Sequence, residues 1–338
     1  MEFPFKVAQI SHNVSESSMP YRLNDALNRH AEGTDSHLLL RRAGNGIGKE
    51  IRRSCYRRMQ DSAKRWIARG MCRLTVPYDR NTPFYSVLGM GFSVDQMEEA
   101  DIVNLHWIAG RTLDFSRLHL IGRRLVHIFN PVDTSVFIPP VNKAEAKKRL
   151  DVPENSFVIA FGAVNLQDPF KGGEYVMPIL RELYRQGARH IHLLIFGNDD
   201  SSTEWPYPCT RMGFLADMGK LAQVYQGADM FLNPTKQDSL SYVSLEAMSC
   251  GVPSVSFRTG GVPEVCLDGK TGLIADQFDI DRMAAHCLLL YNDNQLLKRL
   301  GHAGREYAER EFSYPVIASR YASLYREILA TGCSGNIR

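Results

Sequence analysis

The sequence is short of the features that mark export, membrane insertion or a metal scaffold. No run of about 18 consecutive apolar residues occurs, so no bilayer-spanning helix is expected. The opening residues MEFPFKVAQISHN lack a basic start followed by an apolar stretch, which speaks against a secretory signal. Cysteine is sparse and unpatterned: Cys55, Cys72, Cys209, Cys250, Cys266, Cys287 and Cys333 make an odd set without a C-x-x-C pair. That excludes a disulfide framework or a zinc ribbon and reads as reduced thiols in the cytoplasm. No helix-turn-helix, zinc finger or aromatic RNA-binding strand occurs, so nucleic acid is not an expected partner. No Asp-x-Asp pair sits in a loop suited to a metal, and there is no internal repeat.

What is present is a chain of 338 residues, 44% apolar and 23% charged, long enough for a sizeable core and better suited to two domains than one. The formal charge of +3 conceals a local excess, since Arg41 to Arg80 hold twelve Lys and Arg against Glu50, Asp61 and Asp79. Within this stretch Ile51, Cys55, Met59, Ala63, Trp66, Ile67 and Met71 recur at helical spacing among the basic residues, which predicts a basic amphipathic helix. One reading is a solvated face over a buried stripe. The other is attraction to an anionic membrane surface or a phosphate-bearing acceptor.

Short apolar runs alternate with helical patterns along the chain. FKVAQIS, SHLLL, DIVNLHWI and LVHIFN read as strands in the first half, and FVIAFGA, HIHLLIFG, DMFLNP and PSVSFR in the second. Helices are expected near Tyr21–Arg29, Gly173–Gln186, Asp217–Gln226, Val243–Ser249, Asp281–Asn292, Asn294–Arg310 and Pro315–Leu329. Repeated βα units imply parallel sheets. The expected organisation is an N-terminal Rossmann-like domain over 1–130, a proline-containing and charged linker over 131–150, a second domain over 151–312, and a C-terminal helix over 313–330 packing back toward the first domain. Two such domains place a cleft between the carboxyl edges of their sheets, so chemistry is expected on strand-to-helix loops.

The segment Asn233 to Glu264, NPTKQDSLSYVSLEAMSCGVPSVSFRTGGVPE, is the most informative. A strand ends at Asn233-Pro234, a polar loop carries Asp238, a helix starts near Ser241, and Glu246 follows Asp238 by eight positions. Amides at a helix start point at an anion and the helix dipole favours negative charge there, so a diphosphate would bind well. Glu246 can accept hydrogen bonds from adjacent ribose hydroxyls. Gly260 and Gly261 allow close backbone approach because neither has a Cβ. Taken singly, Glu246 is as readily a surface charge, Asp238 a capping residue and Gly260-Gly261 a turn.

As an ordered set, these residues resemble the donor site of retaining glycosyltransferases of family 4, also called group 1, with the GT-B fold. The family's signature is a carboxylate, seven residues, then a glutamate, here Asp238 and Glu246, with aspartate where glutamate is commoner. FGAVNLQDPFKGG, LLIFGN, GFLADMGKLAQVYQGADMFLNPT and FSYPVIASRYASLY resemble the family as well, over nearly all of residues 125 to 330. Within it the chain is most similar to colanic-acid and capsule-type transferases. The resemblance implies an α/β fold of two Rossmann-like domains facing a cleft, with the N-terminal domain abbreviated: near Arg124 the family carries a further βα portion, and HNVSESSMPYRL replaces its glycine-rich loop.

The same resemblance assigns roles. Lys171 contacts the donor diphosphate, and Asp238 with Lys171 forms the catalytic pair. Asp238, Ser241, Tyr242 and Val243 surround sugar and phosphates, the last three through backbone amides. Met212 and Phe214 lie at the base, with Gly197 permitting close approach. Many members carry an arginine where this chain has Ala163, and Arg258 is the candidate substitute. His106 and His127 are either cleft or structural residues. The implied reaction moves a sugar from a nucleotide-diphosphate sugar to a glycan or lipid-linked acceptor in surface polysaccharide assembly, at the inner face of the membrane, with no metal and no cofactor. The alternative is a catalytically weak or inactive nucleotide-sugar-binding partner protein.

Overall fold

The computed structural model describes residues 5–11, 19–40, 49–50, 102–105 and 128–330. Apart from Lys49–Glu50, the basic stretch Arg41–Arg80 lies outside the described residues, as do the loop after the first strand, His106, His127 and the junction near Arg124. The chain divides into two units, Met1–Pro131 with Tyr314–Arg338, and Val132–Ser313.

In the first unit β1 (Phe5–Ser11), β2 (Thr34–Leu40), β3 (Lys49–Glu50) and β4 (Ile102–Leu105) form a parallel sheet in the order β3-β2-β1-β4. Helix α1 (Met19–His30) buries Leu23, Ala26 and Leu27, spaced three and four apart on one face. The Asn28 amide donates to the Ser36 carbonyl at 2.8 Å and accepts from the Ser36 amide at 2.9 Å, tying α1 to β2.

The second unit begins with residues that read as a linker but pack as part of this unit. Phe137 and Val132 are fully buried, and α2 (Lys143–Lys148) is capped by Asn142, which accepts from Ala144 N at 2.9 Å. Lys147 pairs with Asp229 at 2.8 Å. The Arg305 guanidinium donates to the carbonyls of Phe137, Ser249 and Thr134 at 2.6, 2.8 and 3.0 Å, fastening the segment down.

Next come β5 (Phe157–Asn165), α3 (Gly173–Arg185), β6 (Ile191–Asn198), β7 (Cys209–Gly213), α4 (Met218–Gly227), β8 (Met230–Asn233), α5 (Tyr242–Ser249), β9 (Ser254–Phe257), α6 (Val262–Val265), β10 (Gly272–Ala275), α7 (Ile280–Asn292) and α8 (Asn294–Glu311). The sheet is parallel throughout, in the order β10-β9-β8-β5-β6-β7. Both faces are covered at its centre, so β5, β6 and β8 are near-continuous buried apolar runs rather than alternating ones. Ile159, Phe161, Leu193, Ile195, Leu232 and Val255 pack with Val176, Ile179 and Leu183 of α3 and Met283 and Leu290 of α7.

Beyond this sheet the chain recrosses into the first unit. Val132 N donates to Phe312 O at 2.8 Å, so the two crossing segments run side by side. Helix α9 (Tyr314–Ala330), with Pro315 in its first turn, buries Ile317, Ala318, Ala322 and Tyr325 against Leu23, Ala26 and Leu27 of α1. Residues 128–130, part of the run LVHIFN read as a strand, form none; Ile128 and Phe129 pack on this helical cluster instead. Among the described residues no helix is long and apolar enough to cross a membrane.

Candidate functional site

The strand order of the second unit locates a crevice before any side chain is considered. From β5 the chain moves outward through β6 and β7, and from β8 in the opposite direction through β9 and β10. The loops leaving the carboxyl ends of β5 and β8 therefore diverge, and a ligand crevice forms between them. Both loops carry residues singled out by sequence, Lys171 after β5 and Asp238 after β8.

The two loops are locked to one another. Asp168 shapes the first by accepting from Phe170 N at 2.9 Å through its carboxylate and from Lys171 N at 2.9 Å through its carbonyl. The Phe170 carbonyl then accepts from Lys236 N at 2.9 Å and from Thr235 Oγ1 at 3.0 Å. Gly172 has φ +67°, and a Cβ there would stand 1.9 Å from the Pro234 carbonyl oxygen, so glycine is required on two counts. With the loops fixed, Lys171 Nζ lies 3.0 Å from Asp238 Oδ2, with side-chain exposures of 34% and 16%. One cation and one carboxylate thus face solvent together at the switch point.

Helix α5 begins directly after this loop. Its N-cap residue Ser241 makes no capping hydrogen bond, because its buried hydroxyl accepts from Asn233 Nδ2 at 2.8 Å. Asn233 also reaches Ser244 Oγ at 2.9 Å, pinning the end of β8 to the first turn of α5. The N-terminal turn at Tyr242 and Val243 is thereby aimed without the serine side chain occupying it, an arrangement suited to an anion.

Glu246 lies in the next turn and is 3% exposed. Its Oε2 accepts from the Tyr225 hydroxyl at 3.1 Å, and Tyr225 is wedged among Phe137, Phe196 and Phe231. The carboxylate is therefore held rigidly rather than lying free on a helix surface. Nearby, burial pushes the Cys250 thiol well above its ordinary value and the Glu246 charge adds to the effect, so this cysteine stays a neutral thiol.

The glycines allow the close backbone approach expected of them, here between two loops of the protein. A Cβ on Gly260 or Gly261 would meet the carbonyl oxygens of Asp238 and Ser239 at 2.0 Å each, and Gly261 N donates to Asp238 O at 2.9 Å. These residues let the loop after β9 press on the Asp238 loop and hold it in place. Gly197, at φ +96°, similarly clears the Ala163 carbonyl, which a Cβ would approach to 1.6 Å. At the far side of the sheet, Met212 is partly exposed and Phe214 is 55% exposed after β7, leaving an open apolar surface.

Arg258 directly follows β9. Its guanidinium faces Asp276 at 3.4 Å and Asp268 at 3.7 Å, carboxylates from the loops bordering β10. The position at the end of β9 raised the expectation of a second diphosphate cation, and two nearer acids engage it. Conversely, Tyr225 and Asn233 carry no motif of their own. Their importance arises from tertiary placement, beside Glu246 and beneath the α5 terminus.

Residues 156–293 match the family model described as "Glycosyl transferases group 1". A D-inositol 3-phosphate glycosyltransferase of Corynebacterium efficiens is 30% identical over 220 residues, covering 61% of this chain and 51% of that protein. The chain thus spans about half the length of that curated relative. Among solved structures, sucrose-phosphate synthase from Thermosynechococcus elongatus superposes with a TM-score of 0.65 at 17% identity, covering 97% of this chain and all of that one. Anabaena HepE in complex with UDP and glucose gives 0.63 at 16% identity, covering 96% of this chain and 100% of that chain. The fold is GT-B, with a Rossmann-like parallel sheet in each unit.

Proposed function

We propose that this protein is a glycosyltransferase that binds a nucleotide-diphosphate sugar at the switch point of its second unit. The observation that carries the proposal is the Lys171–Asp238 pair at 3.0 Å, set beside the α5 terminus that Ser241 leaves uncapped. In this reading the diphosphate takes up the amides of Tyr242 and Val243 and the Lys171 ammonium. Glu246, oriented by Tyr225, accepts from the ribose hydroxyls. Phe214 and Met212 receive the base. The group 1 match over residues 156–293 and the UDP of the similarly folded HepE support a nucleotide-sugar donor.

The finer proposal is transfer with retention. The bond from the anomeric carbon to the diphosphate oxygen breaks and its electron pair goes to the phosphate. The acceptor oxygen attacks the same face of the sugar and its proton passes to the departing phosphate. Lys171 stabilises the charge growing on the leaving group, and Asp238, released from Lys171, bonds sugar hydroxyls. Neither step requires a metal in this scheme. The proposed acceptor is a glycan or lipid-linked saccharide of surface polysaccharide assembly.

Calorimetric titration with UDP-, GDP- and ADP-sugars tests the donor site, followed by transfer assays on saccharide acceptors. Saturable binding of one nucleotide class that is lost in Glu246→Ala supports the reading. Unchanged affinity in that variant overturns it. Binding without turnover on any acceptor would favour the partner-protein alternative.

A further inference from the structure

Next to the donor loops stands a partly exposed aromatic pair, backed by the core, that the proposed donor site does not use. Phe278 is 51% exposed and sits at φ +71°, a left-handed conformation that a phenylalanine adopts only under constraint. Its loop is clamped from both sides. Asp279 caps α7 by accepting from Arg282 N at 2.8 Å, and Gln277 Nε2 donates to the Lys236 carbonyl at 2.8 Å. Glycine would satisfy this backbone with less strain, yet the position carries a large ring held open to solvent.

That ring is not alone. Tyr175 lies 5.7 Å from Phe278 between centroids with a 35° interplanar angle, and the buried Phe257 backs both, at 5.5 and 6.3 Å. Lys236 Nζ stands 6.0 Å from the Tyr175 centroid and pairs with Glu174 Oε1 at 2.6 Å, so the platform has a cationic and an anionic hydrogen-bonding rim. All of these residues follow the carboxyl ends of β5, β8, β9 and β10. Tyr175 is four residues past Lys171, and Lys236 two before Asp238, so the surface is continuous with the donor loops.

We infer that the Tyr175–Phe278 platform is a saccharide subsite that receives a pyranose of the acceptor. A pyranose presents one face of C–H bonds, which carry partial positive charge, to the negative face of an aromatic ring. Its ring hydroxyls reach outward to donors and acceptors at the edge, the roles of Lys236 and Glu174. A lipid chain would gain nothing from such a rim, and the base of the proposed donor is already assigned to Met212 and Phe214. Naming the saccharide as acceptor rests on the donor site proposed above; the existence of the subsite does not.

The test uses methyl α-glucopyranoside, methyl α-mannopyranoside, methyl α-galactopyranoside and myo-inositol with the full chain, read by saturation-transfer NMR. Phe278→Gly is the informative variant because glycine favours this φ, so its thermal unfolding midpoint should match or exceed the parent's. The expected result is transfer to ring C–H protons of at least one methyl pyranoside, and an apparent affinity about fivefold or more lower in Phe278→Gly, the scale of one lost aromatic contact. Tyr175→Ala should act in the same direction. No transfer from the parent protein to any methyl pyranoside, or equal transfer in Phe278→Gly, overturns the inference; transfer to myo-inositol alone does so as well, because it lacks the pyranose ring. A parallel UDP and GDP titration of the parent protein judges the donor site independently.

Discussion

Replacing Asp238 with asparagine removes a negative charge 3.0 Å from Lys171 Nζ while nearly preserving shape. In the ligand-free protein the carboxylate neutralises the one cation that the proposed site offers a diphosphate, so the nucleotide must displace it. Two unit charges about 4 Å apart interact by ~4 kcal/mol at an effective dielectric constant of 20. Lys171 is 34% exposed, which moves the pair toward the solvent-screened range of ~0.2–1 kcal/mol. Taking the upper end, Asp238→Asn should bind UDP or GDP about fivefold more tightly, since each ~1.4 kcal/mol is tenfold. Turnover should fall at the same time, because the sugar loses a charged hydrogen-bond acceptor. Isothermal titration with free nucleoside diphosphates reads the first effect, and initial rates with the matching nucleotide sugar read the second. The gain must vanish in a Lys171→Met background, as a double-mutant cycle requires. Weaker or unchanged diphosphate affinity in Asp238→Asn, or a gain that survives Lys171→Met, would refute the reasoning.

Glu246→Ala should lower nucleotide affinity by about tenfold or more, the scale of hydrogen bonds to a charged acceptor, measured against deoxyribose analogues that cannot make them. Gly172→Ala should lower the thermal unfolding midpoint, because the left-handed φ costs ~1–3 kcal/mol before the clash with Pro234 is counted, and circular dichroism melting checks it. Burial depresses the pKa of His192, and burial aided by Arg282 depresses that of His286, below the ordinary 6.5. The unfolded chain takes up these protons near 6.5 while the folded chain resists, so stability is full above that pH and declines as pH falls below it. Denaturant midpoints between pH 7.5 and 5 should follow this slope, as a working range of about that width brackets the histidine pKa. A His192→Gln, His286→Gln double variant should flatten it.

The parts of the fold visible in the sequence are those whose burial leaves a local trace. β5 and β6 read plainly because both sheet faces are covered, so every position of FVIAF and HLLIF is drawn from residues that tolerate burial. β7 escaped because CTRMG is a partly exposed edge with no apolar run, and GLIA of β10 was missed as well. The segment 132–150 looked like a tether because its prolines and charges are prominent, while the contacts that bind it come from Arg305 and Asp229, more than 75 residues away in sequence. Within the candidate site, Asp238 and Glu246 stood out by their eight-residue spacing and Lys171 by the resemblance of FGAVNLQDPFKGG to the group 1 pattern. The carboxylates that Arg258 faces, Asp268 and Asp276, could not be read from the sequence because a nearby charge does not announce which partner it will meet. Asn233, Ser244 and Tyr225 were invisible because their roles exist only after β8, α4 and α5 have packed.

The glycines link these observations to function. Gly172, Gly197, Gly260 and Gly261 each stand where a Cβ would fall within 2.0 Å of a backbone carbonyl oxygen, belonging to Pro234, Ala163, Asp238 and Ser239. Three of those four carbonyls lie in the loop that carries Asp238. The loop is therefore pressed from one side by the KGG turn and from the other by the GG turn, and hydrogen bonds to Phe170 O and from Gly261 N seal both contacts. A carboxylate on an ordinary surface loop would sample many positions, and each donor bound would have to order it. Here the loop backbone is ordered during folding, so for the proposed diphosphate only the Lys171–Asp238 ion pair has to open. The close approaches at these glycines build the rigidity of the loop on which the proposed contacts depend.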